Sequence, residues 1–143
     1  MKISTKGRYA LRLMIDLAQH DTGEYIALKD ISERQDITVK YLEQIVASLS
    51  RAGLLRSMRG AGGGYRLARR SEEIRVGDIL RATEGDLTPV DCPILNGSGD
   101  CPRAAKCSTL EFWRGLDRVI TGYLDSHTLY DLSRRSDGDD YQI

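Results

Sequence analysis

The sequence has no uninterrupted apolar run near the roughly 20 residues that a membrane-spanning helix needs. It also has no excess of charge of either sign, since 21 Lys and Arg balance 21 Asp and Glu over 143 residues. Histidine is scarce, with two copies, as are tryptophan and phenylalanine, with one each. The first absence excludes a membrane-spanning helix. No secretory leader is expected: Met1 to Lys6 is basic, but Arg8, Arg12 and Asp16 interrupt the apolar residues that follow, and no small-residue cleavage site appears. A cytoplasmic location is therefore expected. The two histidines, His20 and His127, fall at expected helix ends, where they act as dipole partners. No Ser/His/Asp or paired-carboxylate constellation accompanies them, so no enzyme is expected.

What is present is ordinary for a globular chain, with 41% hydrophobic and 29% charged residues, which excludes wholesale disorder. The length suits one domain with an appended helical element. The zero net charge hides an asymmetry. Residues 1–70 hold 13 Lys and Arg against 7 Asp and Glu, while residues 71–143 hold 8 against 14. A basic half joined to an acidic half points to a polyanion as partner of the first half.

The basic half reads as three helices and a hairpin. Ser4 or Thr5 caps a first helix in which Ala10, Leu13, Met14, Leu17 and Ala18 recur at helical spacing, with Gly23 as its end. An extended piece at 25–27 precedes a short second helix over 29–35 that turns Ile31 inward. Asp36-Ile37-Thr38 then makes a tight connection, and Thr38 caps a third helix closed by Gly53. Its core face is Leu42, Ile45, Val46 and Leu49; its open face displays Lys40, Tyr41, Glu43, Gln44, Ala47, Ser48 and Arg51. Two helices so joined form the helix-turn-helix pattern.

Two strand-like runs follow, 54–59 and 65–68, joined by Gly60-Ala61-Gly62-Gly63-Gly64 and surrounded by Arg56, Arg59, Arg66, Arg69 and Arg70. Such a basic hairpin after a helix-turn-helix is a wing. Its glycines, Gly62 and Gly63 among them, permit close approach to a phosphate backbone. A phosphate-binding enzyme loop is excluded, because the glycines precede a strand and no Gly-Lys-Ser/Thr follows. The fold class expected is mainly α with a small β-hairpin wing, divided into a winged helix-turn-helix over 1–84, a cysteine-containing loop over 85–108, dimerisation and C-terminal helices over 109–136, and a tail over 137–143.

A fourth helix is expected over 76–83, ended by Gly85. Residues 86–106 lose periodicity, carry all three prolines and read as a loop. With residue 107 this stretch holds every cysteine: Cys92, Cys101 and Cys107. A structural disulfide is disfavoured in a reducing compartment and by the odd count. Structural zinc sites use paired, closely spaced cysteines and four ligands, whereas the gaps here are eight and five residues. Three widely spaced thiolates suit an iron–sulfur cluster with a fourth donor from elsewhere. A thiol redox switch is the first alternative, and zinc or no function for the thiols stay open beside it.

Ser108 or Thr109 caps a long helix to about residue 125, with two adjoining apolar rows: Phe112, Leu116, Val119, Tyr123 and Trp113, Leu116, Ile120, Leu124. So wide a stripe exceeds the needs of one small domain, and one row is assigned to a second copy, with Trp113, Leu116, Ile120, Tyr123 and Leu124 as the interface. Thr128 caps a last short helix to about residue 135.

The opening MKISTKGRYALRLMIDLA, the block DISERQDITVKYLEQIVASLSRAGLLRSMRGAGGGYRL and the cysteine loop leading to a Trp-bearing helix together resemble the IscR/NsrR/CymR regulators, the Rrf2 family. The resemblance implies a homodimer that binds a pseudo-palindromic operator in double-stranded DNA as a repressor, with an iron–sulfur cluster, 2Fe–2S in preference to 4Fe–4S, modulating affinity. It places Lys40, Tyr41, Glu43 and Gln44 in the major groove, Arg59 in the minor groove, and Lys6, Arg8 and Tyr9 on the DNA backbone. The first gap between cysteines is three residues longer than the IscR pattern, and Leu110 stands where that pattern has a ligating histidine. Glu111 is the neighbouring candidate for fourth ligand. NsrR-like members take an acidic ligand from the N-terminal segment, but position 8 here is arginine. The two ends of the chain resemble CymR, which implies a second reading: a regulator of sulfur metabolism acting through a cysteine-biosynthesis enzyme or thiol oxidation. A third reading, from another class, is an iron–sulfur carrier or scaffold.

Overall fold

The structure is a computed structural model that describes residues 2–135; the expected tail over 137–143, with residue 136, lies outside the described residues. Helix α1, Thr5–Gln19, begins where Ser4 Oγ accepts from the Gly7 N–H at 3.2 Å. It buries Ala10, Leu13, Met14 and Leu17, as their spacing demands. The helix stops at His20 instead of running to Gly23, because the His20 ring bonds the Asp16 carbonyl at 2.8 Å and holds the last turn. The extended piece follows: Ile26 and Tyr65 exchange backbone hydrogen bonds of 2.9 and 2.8 Å, adding an isolated bridge to the wing.

Helix α2, Leu28–Gln35, ends at Asp36 in the left-handed region, φ 56°, a conformation that aspartate tolerates better than most residues. Thr38 Oγ1 then accepts from the Tyr41 N–H at 3.2 Å and starts α3, Val39–Arg51. The α1 and α2 helices are pinned by Asp16. Its carboxylate is 1% exposed and receives Arg34 Nη2 at 2.7 Å, Arg34 Nε at 3.0 Å and Gln35 Nε2 at 3.0 Å. A carboxylate so buried is tolerable only with this degree of hydrogen bonding.

Strands β1, Leu55–Met58, and β2, Gly64–Leu67, pair antiparallel in register from Leu55 with Leu67 to Met58 with Gly64. Helix α4, Val76–Glu84, packs across α1 and α3 and ends at Gly85, φ 79°. Ile31, Leu42, Ile45, Leu49, Leu54, Ile74 and Ile79 join the α1 face in one core, in which Leu129 of the last helix is also fully buried.

The stretch expected as plain loop holds α5, Pro93–Asn96, and a 3-10 turn, Ala104–Lys106. Pro93 presets the first helical residue and Gly97, φ 74°, closes the turn, so the residues read as breakers act as start and stop. Helix α6, Leu110–Asp125, and α7, Leu129–Arg135, complete the chain. Thr128 and Asp131 cap α7 reciprocally, with bonds of 3.0 and 3.1 Å. Thr109 precedes α6 but makes no side-chain cap; its hydroxyl lies 3.5 Å from Cys107 Sγ instead. The fold class is the expected one.

Candidate nucleic-acid interface and cysteine loop

Because Leu42, Ile45, Val46 and Leu49 seat α3 on the core, its opposite side is turned outward, and Lys40, Glu43, Gln44, Ala47 and Arg51 are exposed. Tyr41 is half-buried against Tyr9 of α1, ring centroids 5.6 Å apart, and Arg12 lies over the Tyr9 ring at 5.0 Å. Ser48, expected on the open face, is buried at 6% exposure. Lys6 Nζ donates to its hydroxyl at 2.8 Å, and Arg51 Nη2 approaches it at 3.4 Å. Lys6 and Tyr9 thus brace α3, while Arg8 is exposed with Nη2 on Thr5 Oγ1 at 3.2 Å. The signal for Ser48 lies 42 residues away in Lys6, beyond the reach of helical periodicity.

The wing carries Arg56 and Arg59 exposed. Arg66 is committed internally: Nη1 donates to the Gly23 carbonyl at 2.7 Å and its guanidinium covers Tyr25 at 4.9 Å. Arg70 faces Glu72 at 3.5 Å, leaving Arg56, Arg59 and Arg69 as the wing's freer cations. At the tip, Gly62 is exposed with φ 77°, and a Cβ on Gly63 would sit 2.2 Å from the Met58 carbonyl oxygen. The hairpin needs its glycines.

All three thiols are free; Cys92 and Cys101 are half-buried and Cys107 is exposed. Cys107 ends just before α6. Hydrogen bonds from the Thr109 hydroxyl, then from the Thr109 and Leu110 N–H groups, with Arg103 nearby, hold its thiol below the usual thiol range. Among the described residues, no three His, Cys, Asp or Glu side chains group closely enough to hold a metal ion. The loop carries the soft donors that an iron–sulfur cluster takes without gathering them. Leu110 is buried, at 8% exposure, and Glu111 is exposed and accepts from Arg114 Nη1 at 2.6 Å.

On α6 only Leu110 is buried. Phe112, Val119 and Tyr123 are 66%, 69% and 67% exposed, whereas Trp113, Leu116, Ile120 and Leu124 are half-buried. The helix is held at its far end, where Arg81 Nη2 of α4 donates to Asp125 Oδ1 at 2.7 Å. One link was invisible in the sequence: Ser4 donates through its backbone N–H and through Oγ, the latter at 2.8 Å, to the Glu84 carboxylate. The start of α1 is tied to the residue before the cysteine loop.

No helix is long and apolar enough to cross a membrane among the described residues. The family model "Rrf2: Iron-dependent Transcriptional regulator" matches residues 3–135. The HTH-type transcriptional regulator IscR of Vibrio cholerae is 42% identical over 132 residues, 92% of this chain and 75% of that one. Protein rrf2 of Nitratidesulfovibrio vulgaris is 41% identical over 134 residues, 94% of this chain and 88% of that one. Among solved structures, CymR of B. subtilis, the global cysteine regulator, superposes with a TM-score of 0.76 at 40% identity, covering 97% of this chain and 99% of the other. The IscR of T. potens gives 0.74 at 40% identity, covering 100% and 94%. With helix-turn-helix, wing, cysteine loop and these likenesses together, the chain belongs to the Rrf2 family of DNA-binding transcriptional regulators.

Proposed function

We propose that the protein is a homodimeric cytoplasmic repressor that binds a pseudo-palindromic operator and whose affinity is modulated by an iron–sulfur cluster on Cys92, Cys101 and Cys107. The observation that carries this reading is a winged helix with an exposed polar recognition face, continuous with a loop that holds every cysteine of the chain. Lys40 and Arg8 meet phosphates, Glu43 accepts from a cytosine amino group and Gln44 addresses an adenine edge. Arg59 enters the minor groove while Gly62 and Gly63 let the wing tip approach the backbone. Lys6, Tyr9 and Tyr41 hold the α1–α3 seam at the DNA surface. Trp113, Leu116, Ile120, Tyr123 and Leu124 form the dimer seam; of these Tyr123 is exposed and the other four are half-buried, and α6 exposes Phe112 and Val119 beside them.

When bound, a cluster supplies a redox- and assembly-sensitive tie among the loop thiolates, 2Fe–2S being the form favoured, with Glu111 as candidate fourth donor. The test is anaerobic purification with absorption spectra and iron and sulfide analysis, paired with DNA binding across salt concentrations. Expected are a coloured protein and an affinity falling steeply with salt. A flat salt response would remove the regulator reading and favour an iron–sulfur carrier. A second reading is favoured by the acidified Cys107 thiol and by likeness to CymR, one structure of which is an oxidized form from Staphylococcus aureus. It is a cluster-free sulfur-metabolism regulator that acts by thiol oxidation or through a cysteine-biosynthesis enzyme. An iron-free protein that still binds DNA would select it.

A further inference from the structure

The first residue of α3 is a valine with nothing in its own helix to explain it. Val39 follows the Thr38 cap and is 38% exposed, and it is not among the residues packed on the core. A β-branched residue is a weak helix former, and an acidic residue or proline would suit the first turn better; α3 has no acidic residue there. The other large exposed apolar side chains of α6 and α7 have their own accounts. Phe112, Val119 and Tyr123 lie along the proposed dimer helix, and Tyr130 is covered by Arg134 at 5.2 Å.

Val39 shares an i, i+4, i+8 row with Glu43 and Ala47, all three exposed, so methyl groups flank a single carboxylate. A helix-turn-helix meets base edges with the N-terminal residues of its second helix. The apolar feature that DNA offers there is the 5-methyl group of thymine. On the regulator reading above, we propose that Val39 reads a thymine methyl in each half-site, beside the cytosine addressed by Glu43. The two positions are not interchangeable, because the carboxylate repels the thymine O4 acceptor and the valine gains nothing from the cytosine amino group.

The probe is the duplex that the wild-type protein enriches from a randomised library, with each half-site thymine replaced in turn by deoxyuridine, which lacks only the methyl group. One position, repeated by symmetry in the other half-site, is expected to cost about four-fold in affinity, the worth of one buried methyl. Val39→Ala, which alters both protomers, should lose that factor once per half-site, roughly 16-fold, on the thymine duplex and nothing further on a duplex carrying deoxyuridine at that position in both half-sites. Its melting temperature should match wild type, because the side chain is exposed and alanine favours helix. A flat deoxyuridine scan, or equal losses for Val39→Ala on both duplexes, overturns the assignment and leaves the regulator intact. Failure to enrich any duplex, with a flat salt response, overturns the regulator reading and this assignment with it.

Discussion

Replacing Arg34 by methionine keeps an apolar stem in place and removes the guanidinium from Asp16. Burial alone would push the Asp16 carboxyl up; hydrogen bonds from Arg34 and Gln35, with the charges of Arg34 and His20, outweigh it and hold the group below its ordinary 3.8. In Arg34→Met the carboxylate, 1% exposed, keeps Gln35 at 3.0 Å and His20 at 3.6 Å. Breaking a fully buried pair from one side costs about 3–5 kcal/mol. Arg34 is 35% exposed, so water reaches the site and the lower end applies, about 3 kcal/mol. That is about a fifth to three-fifths of the total stability of an ordinary domain and lowers Tm by roughly 10 °C. The assay is urea unfolding followed by far-UV circular dichroism at one fixed protein concentration, since dimer stability depends on concentration. The pH dependence is diagnostic. With its folded pKa depressed, Asp16 stabilises wild type fully above its unfolded value of about 3.9, and that stability is lost as pH falls through the folded value. In the variant the folded carboxyl is raised, so it gains on wild type as pH drops from about 7 toward 4. Adding Asp16→Asn should restore part of the loss by removing the buried charge. A loss under about 1 kcal/mol, or a gap independent of pH, would refute the reasoning.

Gly64→Ala should open the wing, since φ is 151° and a Cβ would lie 2.1 Å from the Ile26 carbonyl oxygen. Stability should fall by about 1–3 kcal/mol and DNA affinity with it, read by melting and fluorescence anisotropy. Arg81→Met releases Asp125 and should cost about 1 kcal/mol, a partly exposed pair, while weakening dimerisation measured by sedimentation. Gly77→Ala should do the same, because its Cβ would meet Asp125 Oδ1 at 2.0 Å. Lys40→Ala should weaken binding uniformly across DNA sequences and lower the salt slope by about one for each phosphate left without its lysine, whereas Glu43→Ala should relax base preference. Thr109→Val removes the largest acidifying bond on Cys107, so alkylation of that thiol near neutral pH should slow; an unchanged rate contradicts the hydrogen-bond account.

The helical core was legible because periodicity and caps coincide: Thr38 opens α3, Gly85 closes α4, and Leu42, Ile45 and Leu49 face inward at the spacing read from the chain. The wing was legible for the same reason, glycine and arginine occurring together where a hairpin must turn. Pairings between distant segments were hidden. Ser48 is drawn inward by Lys6, and Ser4 is latched by Glu84, 80 residues on, and neither pattern has a local signature. Pro93 and Gly97 read as loop residues because their chemistry marks helix edges and loops alike. The cysteine spacing displays donors, but convergence depends on how the segment between 92 and 107 closes, which spacing does not encode.

The Asp125 end of α6 is fastened to the body of the winged helix, and its start is held by the cysteine loop. After it, the Val76 and Leu129 N–H groups bond the His127 and Ile74 carbonyls at 2.9 and 2.8 Å, clipping the start of α7 beside the start of α4. Before it, α5 lies against α6. A helix clamped in this way acts as a ruler. In a dimer joined along α6, the separation of the two α3 helices is set by the clamps and not by a flexible linker. The spacing between operator half-sites, one turn of DNA or a multiple of about 34 Å, is then a length written into the Arg81–Asp125 pair. Altering that pair should change which spacing the protein prefers before it changes which bases it reads.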